Sequence, residues 1–155
     1  MKRWPILFAI VAAAILFPAN AADVGELLPV ELIYIYREAD RVCVATDTEA
    51  VGAGPDLNAA MEDLHATAPG AVFLDTADFL VLTPDTLTLL PELTNALRPA
   101  TKVCVGLNVH ADADLTKYLT AHPPYVTLGN LCSGKKNVPI LQRREAGYRL
   151  ESRDQ

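Results

Sequence analysis

Residues 52–82, GAGPDLNAAMEDLHATAPGAVFLDTADFLVL, constrain the fold of this 155-residue chain more than any other stretch. A glycine-rich entry at Gly52, Ala53 and Gly54 reads as a flexible loop before a helix. Pro55 suits the first helical position, and Asp56 places a negative charge near the positive end of the helix dipole. Leu57, Ala60, Met61, Leu64 and Ala68 recur at helical spacing and share one face, while His65 falls on a solvent-facing flank. Pro69-Gly70 ends the helix in a turn. Residues 71–74 and 79–82 are apolar runs parted by Asp75-Thr76-Ala77-Asp78. They read as a strand pair, the second central because its hydrophobicity is unbroken.

The flanking sequence extends this strand-and-helix theme. Residues 30–36 and 41–46 are rich in β-branched and apolar residues around a short polar loop, which reads as a β-hairpin. Thr83-Pro84 opens a leucine stripe at Leu87, Leu90, Leu93 and Leu97. Pro91 interrupts that stripe, and an interior proline costs about 3 kcal/mol, so a kink or two short helices is expected. Residues 102–107 form a further strand. Asp112 or Asp114 caps a short helix carrying Leu115, Tyr118 and Leu119, and residues 126–131 hold one helical turn. Residues 138–142 and 148–150 flank Glu145-Ala146-Gly147 as a closing hairpin. The expected order is ββαββαβαββ: a single mixed-sheet α/β (α+β) domain over residues 30–150, with about three helices on the sheet faces.

The N-terminus stands apart. Lys2 and Arg3 precede a 13-residue apolar run, residues 5–17, and Ala19-Asn20-Ala21 supplies small residues before a cleavage point. Residues 1–21 read as a signal peptide, or as an uncleaved N-terminal anchor, with 22–29 a linker. Residue 22 is Ala, not Cys, so no lipoprotein anchor is encoded. Either way residues 22–155 are expected outside the cytoplasm, at the outer face of the membrane, with 151–155 a frayed tail.

Charge narrows the partners. The chain carries −6, and the part after residue 21 holds 11 basic against 19 acidic residues, or −8. That balance argues against nucleic acid, whose phosphates demand clustered Lys and Arg. It also disfavours direct attraction to anionic lipid, so membrane contact is expected through an anchor or a membrane protein partner.

Candidate chemistry is sparse. Asp75 and Asp78 follow a hydrophobic strand, where phosphotransferases place a nucleophilic aspartate. They stand three residues apart instead of two, which favours turn-forming acids that accept backbone N–H bonds over a catalytic pair. Gly52 and Gly54 are candidates for a ligand loop, without the spacing of a dinucleotide or phosphate loop. His65, His110 and His122 are scattered, so no metal site and no cofactor is expected. Ser133 and Ser152 lack a nucleophile elbow, and Arg143-Arg144 reads as edge-strand charge. Cys43 and Cys104 read as small buried strand residues; a Cys43–Cys104 disulfide requires their strands to be neighbours.

A series of patterns runs in order along residues 30–150. Gly54-Pro55-Asp56-Leu57 opens a helix with Ala60 and Leu64, and Asp78-Phe79-Leu80-Val81-Leu82-Thr83 is a hydrophobic strand. The leucine-rich helix of residues 87–97 follows, then Val103-Cys104-Val105-Gly106 and Asn137-Val138-Pro139-Ile140-Leu141. This order resembles the N-terminal domain of the C subunit of spore germinant receptors, the Ger(x)C family. The family's lipobox cysteine and later domains have no counterpart here. The resemblance implies an envelope scaffold domain beside membrane-embedded subunits, with no catalytic residue. The expected function is that of an exported, non-enzymatic interaction module. The alternatives are a small hydrolase using Asp75 and Asp78 and a soluble small-ligand binder.

Overall fold

The computed structural model describes residues 27–134 and 137–151. The expected signal peptide at 1–21, residues 22–26 of the linker and the tail beyond residue 151 lie outside the described residues. The strands are β1 (Leu27–Pro29), β2 (Leu32–Glu38), β3 (Arg41–Thr46), β4 (Val51–Gly54), β5 (Ala71–Phe73), β6 (Phe79–Leu82), β7 (Lys102–Leu107), β8 (Ile140–Arg144) and β9 (Gly147–Glu151). The α-helices are α1 (Leu57–Thr67), α2 (Leu90–Ala96), α3 (Ala113–Ala121) and α4 (Leu128–Cys132).

Seven strands form one mixed sheet in the order β4-β3-β2-β6-β7-β8-β9. The middle is parallel: β2 pairs with β6, β6 with β7 and β7 with β8. Antiparallel strands flank it, β3 and β4 on one side and β9 on the other. β6 is buried along its whole length, as expected of a parallel strand covered on both faces. The α/β class is therefore as the pattern predicts.

Two apolar layers hold the sheet. One face buries Ile33, Ile35, Val44, Leu80, Leu82 and Val103 beneath Leu57 and Leu64 of α1, Leu93 of α2 and Leu128 of α4. The other buries Leu32, Tyr34, Phe79, Val81, Cys104 and Leu141 beneath Leu115 and Leu119 of α3. Each fully buried leucine contributes on the order of 2 kcal/mol. The buried α1 positions Leu57, Ala60 and Leu64 belong to the stripe legible in sequence.

Pro91 acts as expected. A 3-10 turn, Pro84–Leu89, hands over to α2 at Leu90, and Pro91 falls in the first turn of α2, where its missing N–H costs nothing. Asp112 caps α3, accepting the Leu115 N–H at 2.7 Å. The closing hairpin turns at Glu145-Ala146 and enters β9 at Gly147, whose φ of 119° suits glycine.

Several expectations are corrected. The Gly52-Ala53-Gly54 segment is not a loop but strand β4, paired with β3. A Cβ on Gly52 would lie 2.2 Å from the Ala60 carbonyl oxygen and 2.3 Å from the Leu64 nitrogen. Glycine here lets α1 lie directly on the strand. Pro55 stands before the helix, and Asp56 is the N-cap, accepting the Ala59 N–H at 2.9 Å. Residues 71–74 and 79–82 are not a strand pair: β5 joins β1 in a separate two-stranded parallel ribbon. The linker ends earlier than expected, because Leu27–Pro29 is β1. Two strands and one helix thus add to the expected order.

Candidate functional site

The sequence candidates do not converge. Asp75 sits exposed on a 3-10 turn, Leu74–Thr76, and Asp78 is exposed just before β6. Asp78 pairs with Arg98 at 3.1 Å, and the same guanidinium donates to the Ala77 carbonyl at 3.2 Å. This arrangement pins the chain entering β6. It also lies at the amino end of a parallel strand, whereas ligands of open α/β sheets gather at the carboxyl ends. Gly52 and Gly54 are both buried against α1. Among the described residues no group of three His, Cys, Asp or Glu side chains is placed to hold a metal ion.

The cysteines are also apart. Cys43 lies on β3 and Cys104 on β7, with β2 and β6 between them. Three strand spacings amount to about 14 Å, beyond the roughly 7 Å limit for a disulfide. All three cysteines are free, with Cys43 and Cys104 buried and Cys132 exposed on α4. Burial pushes the Cys104 thiol up to about 12.

Where β6 and β7 end and β8 begins, the sheet opens a shallow cleft of about 260 Å³, lined by Pro84, Leu87, Val105, Leu107, Asn137, Val138 and Ile140. A second groove of about 350 Å³ runs between α2 and α4 over Leu90, Pro91, Leu131 and Cys132. Neither lining brings two titratable side chains together.

Tyrosines gather on the α3 side of the sheet. Tyr34 and Tyr36 stack with centroids 5.0 Å apart. Tyr118 of α3 meets the Tyr148 ring at 5.7 Å and the His122 ring at 4.9 Å. The Tyr148 hydroxyl donates to Asp112 at 3.3 Å. Burial, and next the Asp112 carboxylate, raise the Tyr148 phenol above its ordinary 10.0.

The two edges of the large sheet are finished differently. On β4 three of the four outward backbone groups are taken by side chains, the Val51 N–H having no partner among the described residues. The Ala53 N–H donates to Asp63 at 2.8 Å, the Ala53 carbonyl accepts from Arg41 at 2.7 Å, and the Val51 carbonyl accepts from the Thr67 hydroxyl at 3.1 Å. Asp63 and Thr67 stand four apart on α1, so one helix face seals the strand. On β9 a single outward group is covered, the Leu150 N–H, which donates to the Tyr118 hydroxyl at 2.9 Å.

The β1/β5 ribbon carries an apolar outer surface. Its register sets Leu27 beside Ala71 and Pro29 beside Phe73. These four side chains are exposed, Leu27 at 38% and Phe73 at 45%, while Val72 is buried beneath. Thr76 ties the ribbon to the large sheet: its hydroxyl donates to the Val30 carbonyl at 2.9 Å and accepts the Val30 N–H at 3.1 Å. Sequence reading missed this surface. Its signal was the alternation of residues 71–73, with Pro29 marking an edge strand.

Among the described residues no helix is long and apolar enough to cross a membrane. Comparison with family models, with curated proteins and with solved structures gives no match.

Proposed function

We propose that the chain is an exported, non-enzymatic interaction module that binds a membrane protein partner at the outer face of the membrane. The observation that carries this reading is the apolar outer face of the ribbon, Leu27, Pro29, Ala71 and Phe73. Exposed aromatic and aliphatic side chains clustered on one surface are what protein contacts use as anchors. Where residues 5–17 are retained as an anchor, the ribbon stays near the membrane, because only nine residues separate that run from Leu27. A charge of −8 on residues 22–155 favours a protein surface over an anionic lipid headgroup. The resemblance to the germinant-receptor C subunit agrees in kind, since that subunit sits beside membrane-embedded partners.

Affinity capture after crosslinking in the producing cells tests the reading. The wild-type chain recovers a polytopic membrane protein, and the Leu27→Glu/Phe73→Glu variant loses it while keeping its melting temperature. Equal recovery by both chains, or recovery of none, overturns it.

A further inference from the structure

The asymmetry of the sheet edges points to a second surface. In an antiparallel ladder the backbone groups of alternate residues face the partner strand. The β8/β9 hairpin turns at Glu145-Ala146, so Arg144 and Gly147 form a hydrogen-bonded pair, as do Gln142–Arg149 and Ile140–Glu151. The Val105 N–H donates to the Pro139 carbonyl at 2.9 Å, which turns Pro139 and Leu141 toward β7 and agrees with that phase. Tyr148 and Leu150 therefore direct their backbone groups outward. Tyr118 takes the Leu150 N–H. Among the described residues, the Tyr148 N–H, the Tyr148 carbonyl and the Leu150 carbonyl meet no partner. The opposite edge, β4, has three of its four corresponding groups filled, by Asp63, Arg41 and Thr67.

Side chains beside this open edge sort by face. Tyr148 and Leu150 lie half-buried on the α3 side, with Asp112 close by and the Arg143 guanidinium 5.9 Å from the Tyr148 ring centroid. Arg144 and Arg149 lie on the other side, where both reach Glu151, at 3.0 and 3.3 Å. Two arginines against one glutamate leave this side positive. Charge along the chain repeats the contrast. Residues 22–134 hold five basic and sixteen acidic residues, whereas residues 135–155 hold six basic and three acidic. Within the described hairpin, residues 140–151, three arginines stand against two glutamates, in an otherwise acidic chain.

We infer that β9 is a docking strand that accepts an extended acidic segment of a partner protein, alternating apolar and acidic residues, by strand addition. Main-chain bonds to Tyr148 and Leu150 supply the affinity. Apolar side chains of the incoming strand lie against Tyr148 and Leu150, and its carboxylates lie beside Arg144 and Arg149. A shift of one residue would turn the incoming strand's apolar side chains away from Tyr148 and Leu150, so register is selected by the apolar face. This edge lies across the sheet from β4 and is separate from the ribbon surface.

A fluorescein-labelled peptide of four Val-Glu repeats, with a Val-Lys peptide as control, tests the inference on the chain lacking residues 1–21. The Val-Glu peptide binds and slows amide exchange at Tyr148. Arg149→Glu, its melting temperature unchanged, weakens binding by about tenfold. Tyr148→Pro abolishes binding by removing the outward N–H. Equal binding of the Val-Lys peptide, no protection at Tyr148, or protection that arises from self-association without peptide overturns it.

Discussion

The carboxylate of Asp63 accepts the backbone N–H of Ala53 at 2.8 Å, joining the middle of α1 to the outer strand of the sheet. This bond closes an edge that would otherwise offer itself to another chain. Asp63→Ala leaves the Ala53 N–H without its partner, which costs about 1–2 kcal/mol. Denaturant unfolding measures the loss. Sedimentation velocity shows concentration-dependent association in the variant and none in the parent chain.

Gly52 carries a second prediction. A methyl group there would meet backbone atoms of Ala60 and Leu64, which cannot rotate away. Gly52→Ala lifts α1 off β4 and costs about 3 kcal/mol or more. Thermal melting checks it, and an unchanged midpoint contradicts the close helix–strand contact.

The thiols differ in access. Cys43 and Cys104 are buried and Cys132 is exposed. Iodoacetamide at pH 8 labels Cys132 alone in the native state and all three cysteines in denaturant, read by intact mass. Two labels in the native chain contradict the placement of β3 or β7.

Alkaline pH weakens the fold. The buried Cys104 thiol is raised from 9.0 to about 12, so the folded chain holds that proton more tightly than the unfolded chain. Its contribution is complete below pH 9 and drains away as pH climbs from 9 toward 12. Each pH unit in that window costs about 1.4 kcal/mol for one such group. Tyr34, Tyr36 and Tyr148, also raised by burial, add to the loss above pH 10. Denaturant midpoints across pH 8–11 measure the slope, and Cys104→Ala makes it shallower.

What was legible in the sequence was local and periodic. The α1 stripe from Leu57 to Leu64, the unbroken β6 run, the break at Pro91 and an aspartate cap at Asp112 or Asp114 each follow from a few neighbouring residues. The misread parts depend on distant contacts. Val51–Gly54 looks like a loop because two glycines stand there for the sake of α1, not for flexibility. β1 has three residues and exists only because β5, more than forty positions away, pairs with it. Whether Cys43 and Cys104 could bridge turned on strand order, which places β2 and β6 between β3 and β7. The candidate surfaces were hidden for the same reason: Leu27 meets Ala71, and Tyr118 meets Leu150, across the fold.

Photocrosslinking from position 73 in living cells tests the proposed contact most directly. With a benzophenone amino acid replacing Phe73, a membrane protein adduct forms, and the same group at exposed Tyr125 yields none. Equal adducts at both positions, or a free chain at position 73, contradict a partner seated on the ribbon.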